Sequence, residues 1–254
     1  MKHYKLGKKP ARMGAVKLKA KDYIDLSKLP ARPPTFDHTG LVKAAPGMLG
    51  NDQYGDCFWA GSCHETMVMN ASAGKQVSFT TQDALNAYAK ATGFSPNDPN
   101  SDQGTDMQQG AAFRQKTGIV DANGVVHKVA AYLALEPGNW EEFLTLSWLF
   151  EGAVGVGLDL PNSAEAQFDA NKPWAVAHGA KIEGGHYVSL VAYDGTYMDL
   201  STWGRFKQPT EKAFFQRYND EGLVYVSNDI FNGTKTIDGF DLQQLQADLA
   251  AIQQ

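Results

Sequence analysis

Two residues far apart in the chain have types and settings that could do chemistry together. Cys57 closes the polar turn Gly50-Asn51-Asp52-Gln53-Tyr54-Gly55-Asp56 and opens an apolar helical pattern. A cysteine at a helix N-terminus faces unsatisfied backbone N–H groups and the positive end of the helix dipole, and both favour the thiolate. His186 follows Gly184-Gly185 and precedes the apolar run Tyr187-Val188-Ser189-Leu190-Val191. That pattern reads as a histidine at the mouth of a buried strand, with backbone space opened beside its ring by the two glycines. A low-pKa cysteine and a distant imidazole make a nucleophile–base pair if the fold joins them.

The elements that must position this pair follow from the pattern. Asp56 to Ala73 reads as a helix with Asp56 as N-cap, and Phe58, Trp59, Cys63, Met67 and Met69 supply its apolar face. Thr81 to Thr92, with Thr81 as cap, and Asp106 to Thr117, ended by Gly118, read as two more helices around the polar loop 95–103. Beyond them strands dominate: Gly124 to Ala130, Ala153 to Leu160, Tyr187 to Tyr193, Thr196 to Thr202 and Leu223 to Ser227. Trp140 to Phe150 reads as a helix among them, Asp194-Gly195 as a hairpin turn, and Phe240 to Ile252 as an amphipathic C-terminal helix. Helices first and antiparallel strands later predict an α+β protein in two lobes.

Composition removes several classes of function. The chain has 254 residues, 43% of them hydrophobic, which is ample for a large core. No apolar run reaches the ~18–20 residues needed to span a bilayer, so no membrane partner is expected. Two cysteines make no disulfide framework; Cys57 and Cys63 would point in different directions on one helix. Neither a CxxC pair nor HExxH is present, so neither a metal nor a cofactor is expected. Gly152, Gly155 and Gly157 do not form a dinucleotide fingerprint, and no G-x-S-x-G exists. His64, His127 and His178 lack partner spacing and read as structural or surface residues.

Charge is unevenly spread. Residues 1–21 hold seven lysines, one arginine and no acid, so +8 of a net −5 sits there and −13 is left for the remainder. This stretch has no apolar core of a signal peptide, and cytoplasmic synthesis is expected. Pro10, Pro30, Pro33 and Pro34 keep the first forty residues extended. The basic arm, residues 1–28, reads either as a solvated segment or as a tether to an acidic surface. Nucleic acid is not an expected partner, because no base-stacking platform accompanies the charge.

The motifs, taken in order, resemble the papain-like cysteine peptidases over roughly residues 30–227. Leu29-Pro30 with Phe36-Asp37 resembles the start of the mature family chain, and Asp52 to Ala60 its Gln…Cys-Trp nucleophile segment. Gly104 to Phe113 with Thr117-Gly118-Ile119 resembles its Gly-rich helix, and Gly152 to Leu160 its Gly-Pro-Val-x-Val strand. Gly185 to Asp194 resembles its histidine strand, and Ser201-Thr202-Trp203-Gly204 its Asn-Ser-Trp-Gly. The gap from Cys57 to His186 is 129 residues, near the ~130–150 of the papain group. The Thr-Trp-Gly variant with Phe214-Phe215…Tyr218…Asp220-Glu221 is closer to a phage- and prophage-encoded branch.

The resemblance implies a papain-like two-lobe fold. Its helical N-terminal lobe is opened by the Cys57 helix, and its antiparallel, β-barrel-like C-terminal lobe carries His186. The papain-like domain would span 29–230, followed by a C-terminal extension, 231–254. Cys57 would attack an amide carbonyl and His186 would move the proton. For the oxyanion donor two residues stand open: Asn51 keeps the family's spacing before the cysteine, and Gln53 keeps its residue type. For the group that orients the imidazole, Ser201 stands where the family has Asn, and Asp199 lies two residues earlier on the same strand face. Trp203 matches the tryptophan that covers this contact.

Three functions fit. The first is a thiol peptidase cutting peptide or isopeptide bonds in a peptide or protein substrate. The second is a weak or inactive fold serving as a structural component of a phage virion, anchored on an acidic protein surface by residues 1–21. The third is a cell-wall amidase or endopeptidase. The arm before the domain, about 30 residues, is expected to be too short for an inhibitory domain.

Overall fold

The computed structural model describes residues 4–12 and 14–227. The C-terminal helix expected at 240–252, and the whole proposed extension, 231–254, lie outside the described residues. Residues 4–12 run extended, and a single turn, α1 (Ala20–Tyr23), precedes a short strand, β1 (Phe36–Asp37).

Three helices build the first lobe: α2 (Cys57–Ser72), α3 (Thr81–Thr92) and α4 (Met107–Lys116). All but one residue of α2 is buried, so it is the central helix and its apolar residues run all round it. The boundaries match the sequence pattern to within a residue or so. The cap of α3 is Thr80 rather than Thr81; it forms a capping box with Asp83. Asp106 caps α4 by accepting from the amide of Gln109. Asp56 holds the N-cap position of α2 without a side-chain cap bond. Its carboxyl is buried, and desolvation pushes it well above the usual carboxylate range.

The second lobe is one antiparallel sheet with helices against it. After the two-stranded hairpin of β2 (Ile119–Val120) and β3 (Val126–His127) come β4 (Val129–Ala134), α5 (Trp140–Leu149), β5 (Val154–Pro161) and α6 (Ser163–Asp169). Then follow β6 (Ile182–Tyr193), β7 (Met198–Thr202), β8 (Arg205–Thr210), α7 (Lys212–Tyr218) and β9 (Asn219–Ser227). The strand order is β4-β9-β5-β6-β7-β8, with β1 adding to β6. Among the described residues no pairing joins β4 to β8, so the sheet stays open. The strand expected over 124–130 is two strands, β3 and β4, and β6 begins at Ile182. His186 therefore sits inside a strand, not at its mouth.

The two lobes meet where α2 lies on β6. The Tyr187 ring wedges between them: a methyl group on Gly61 of α2 or on Gly155 of β5 would fall 2.6 Å and 2.1 Å from its atoms. Only glycine leaves room for that approach. The Tyr187 hydroxyl donates to Glu65, which also takes the guanidinium of Arg114 and the hydroxyl of Ser189. All four of these side chains are buried. A buried charge pair survives only with such partners, and here they lock helix to sheet.

Candidate active site

Folding brings Cys57 and the His186 strand together. Cys57 is the first residue of α2, and its sulfur accepts the backbone N–H of Tyr187, the residue after His186, at 3.4 Å. His186 Nε2 shares a hydrogen bond with Thr202 Oγ1 at 2.7 Å. The imidazole stacks on the Trp203 ring, with centroids 4.8 Å apart and planes 26° from parallel. Its Nδ1 is buried and has no hydrogen-bond partner among the described residues. One ring nitrogen is thus held by a hydroxyl, and the other is unbonded.

Thr202 is the hydrogen-bond partner of the His186 ring, a contact that sequence reasoning missed. Ser201, one of the two residues weighed for this role, instead bonds His64 Nδ1 at 3.0 Å. His64 Nε2 faces the carbonyls of Pro46 and Gly47, which can only accept, so Nε2 carries the proton and the Ser201 hydroxyl donates to Nδ1. Burial pulls His64 down to about 4, in keeping with that neutral tautomer. Asp199 pairs with Ala192 and Pro209 across the sheet, with no hydrogen bond to His186. The physical reason is register: Ser201 lies opposite Ser189 on β6, three residues from His186, so Ser201 and Asp199 take the other face of the sheet, whereas Thr202, one residue on, takes the face of His186.

Asn51 and Gln53 part company. Asn51 is buried, and its side-chain amide donates to the carbonyls of Lys5 at 3.1 Å and Tyr54 at 3.4 Å. Gln53 is exposed on the turn. Asp102, which no sequence motif flagged, ties the surrounding loops together. Its carboxylate accepts from the Gly55 amide at 3.0 and 3.1 Å and from the Tyr88 hydroxyl at 2.8 Å; that hydroxyl in turn accepts from Gly104 N–H. The turn before Cys57 and the Gly104-Thr105 loop are thus fixed to one another.

The cleft between these walls is filled by the N-terminal arm. Lys8 N–H donates to the Gly185 carbonyl at 2.9 Å, Thr105 N–H to the Gly7 carbonyl at 2.7 Å, and Lys9 N–H to the Thr105 carbonyl at 3.0 Å. The arm pairs parallel to Thr105 and antiparallel to Gly185. Close approach sets the residue types: a methyl group on Gly185 would sit 2.1 Å from the Lys8 carbonyl oxygen, and one on Gly104 2.1 Å from that of Gly7. Tyr4 stacks on Trp203 with centroids 4.3 Å apart, and its hydroxyl donates to Asp169.

Two of the arm's cations meet acids of the protein itself. Lys8 Nζ donates to Asp220 at 2.7 Å and Glu221 at 3.1 Å, and Arg12 forks onto Asp106 and Gln108. So an arm expected to be too short to inhibit nonetheless closes the cleft. It leaves Cys57 1% exposed and His186 fully buried.

Occlusion sets the protonation states. Burial pushes the Cys57 thiol up to about 11, with the nearby Asp56 charge adding to it, although the Tyr187 and Gly7 amides and Lys8 pull the other way. Burial alone takes His186 down to about 3. With the arm in place the pair is a neutral thiol and a neutral imidazole. The depressed cysteine pKa expected from the helix terminus is absent here because desolvation outweighs the N–H donors. Cys63 is also a free, buried thiol, so no disulfide joins the two.

No helix among the described residues is long and apolar enough to cross a membrane, and no described cluster of His, Cys, Asp or Glu could hold a metal ion. No protein-family model matches the chain, and no curated protein matches it in sequence. Solved structures do match. Xylellain, a cysteine protease from Xylella fastidiosa, superposes with TM-score 0.67 at 14% identity over 89% of this chain and 98% of its own. A procathepsin B from Trypanosoma congolense gives 0.63 at 10% identity over 88% and 86%. A cysteine protease from Carica candamarcensis gives 0.54 at 13% over 77% and 99%. The chain has the papain-like two-lobe α+β fold of these cysteine proteases.

Proposed function

We propose that the protein is a latent thiol hydrolase that cleaves peptide bonds through Cys57 and His186, and that residues 4–12 hold it closed. The observation that carries this reading is the joint between the lobes. The Cys57 sulfur lies against the strand that presents His186, whose ring is held at Nε2 by Thr202, covered by Trp203 and unbonded at Nδ1. A buried imidazole with an orphaned nitrogen is costly unless that nitrogen has work to do.

The mechanism follows from the groups present. When the arm leaves, water and substrate dipoles return to the cleft, and the desolvation that kept thiol and imidazole neutral is relieved. The thiol proton passes to His186 Nδ1, and Thr202 accepts from Nε2–H and steadies the imidazolium. The thiolate attacks the carbonyl carbon of the scissile amide. The oxygen gains a negative charge beside the Cys57 N–H, which the helix leaves without an internal partner, and the Asn51 amide. Asn51 already donates to a backbone carbonyl, that of Lys5, as an oxyanion donor must. Collapse expels the amine, which takes the proton from His186, and water then releases the acyl group with His186 as base.

A structural role with the arm as anchor, in a phage particle or elsewhere, would have to do without Lys8 and Arg12, which are held by acids of this same chain.

The test is hydrolysis of a mixed peptide pool by the full-length chain carrying Arg12→Ala, which removes the surface clasp of the arm. Cleavage that vanishes on adding Cys57→Ala supports the reading; no cleavage, or cleavage that survives Cys57→Ala, rejects it.

A further inference from the structure

The backbone bonds that hold Lys8 between Gly185 and Thr105 are blind to sequence, since any residue but proline offers the same N–H and C=O. What distinguishes Lys8 is its side chain. It is fully buried, and its ammonium meets three acceptors: Asp220, Glu221 and the Lys9 carbonyl, at 2.7, 3.1 and 3.0 Å. Asp159, on β5 opposite Gly185, adds to the negative field; burial first and the Asp220 charge second raise its pKa, and Lys8 alone opposes them. The other carboxylate oxygen of Asp220, Oδ1, is buried and has no partner among the described residues.

We propose that this pocket is the specificity pocket of the cleft, that it selects peptides carrying a lysine or arginine side chain, and that Lys8 is the arm's stand-in for that side chain. The inference rests on the reading of the cleft as peptide-cleaving. Selection works chiefly by rejection. A neutral side chain in the pocket would leave two adjacent, partly buried carboxylates without a counter-charge, whereas a cation satisfies both. The orphaned Oδ1 of Asp220 gives a guanidinium the second acceptor that its fork requires. Lys8 N–H donates to the carbonyl of Gly185, the residue before His186, so the selected side chain lies within a residue or two of the bond that is cut.

The test uses the full-length chain with Lys8→Ala, or with Arg12→Ala should the first not fold. Peptide-library cleavage is read by mass spectrometry, together with kcat/KM on one substrate and its norleucine analogue. The expected result is Lys or Arg at one fixed offset from every major cut. Norleucine there should lower kcat/KM at least tenfold, and Asp220→Asn with Glu221→Gln should erase the difference. Cleavage without a basic preference, or a preference that survives those two substitutions, overturns the proposal while leaving the hydrolase reading intact. If nothing is cleaved, the hydrolase reading fails, and binding alone decides the pocket. A synthetic peptide of residues 4–10 should then bind at least tenfold tighter than its analogue with norleucine at position 8. Equal binding, or binding of neither, overturns it.

Discussion

His186 Nε2 lies 2.7 Å from the hydroxyl of Thr202, and this bond ties the imidazole to the last residue of the neighbouring strand β7. The contact is neutral and short-armed, so its net worth is roughly 1 kcal/mol. In the arm-loosened enzyme, Thr202→Val is expected to lower kcat about fivefold to tenfold with KM little changed, and Thr202→Ser to restore most of the loss. Steady-state kinetics on one peptide checks this. Equal loss with valine and serine would make Thr202 a packing residue only.

Asn51 and Gln53 make a paired prediction. Asn51→Ala should cost about 10²–10³ in kcat if its amide helps to hold the oxyanion. Gln53→Ala, on the exposed turn, should leave kcat within a factor of two or so, since such surface changes are small. A reversed ranking would assign the oxyanion to the other amide.

The buried imidazole gives stability a pH dependence of definite sign. His186 is held near 3 when folded against 6.5 when free, so between those values the unfolded chain binds a proton that the folded chain refuses. The histidine's contribution therefore falls as pH drops from 6.5 towards 3, by about 1.4 kcal/mol per pH unit. Buried carboxyls such as Asp56 and Asp199 act with the opposite sign, because their folded pKa values are raised. The difference between wild type and His186→Asn isolates the imidazole. Urea unfolding at pH 4.5 and 6.5 should show the wild type losing more stability on acidification than the variant; equal losses would mean that the ring is solvated.

The sequence carried the architecture further than the site. Periodicity and caps located α2, α3 and α4 closely because long amphipathic or wholly apolar runs end at clear Asp, Thr and Gly signals. The strands β5 and β6 were visible as apolar runs with glycines, whereas α6, α7 and β8, of six or seven residues each, offer too few periods to register. Cys57 and His186 stood out by residue type and setting, and the fold lays the cysteine against the histidine's strand. Thr202 was not legible, because which β7 side chain faces the histidine depends on the β6–β7 register, with Ser201 opposite Ser189, and sequence alone does not give that register. Asp102 and the Glu65–Arg114–Tyr187 lock were not either, since they join residues distant in sequence through polar contacts that leave no periodic trace. The arm's charge was plain, but its target was not: the acids that receive it lie some hundred to two hundred residues downstream, at Asp106, Asp220 and Glu221.

The most direct measurement is the rate at which iodoacetamide alkylates Cys57 at pH 6, followed by peptide mass spectrometry, in three full-length forms. In the wild type, Cys57 should react more slowly than free cysteine, because the arm buries it and burial holds the thiol near 11. With Lys8→Ala it should react faster than free cysteine and far faster than Cys63, and adding His186→Ala should return it to the slow rate. Equal labelling of Cys57 and Cys63 in the Lys8→Ala chain, unchanged by His186→Ala, would contradict a cysteine activated by that histidine and masked by that arm.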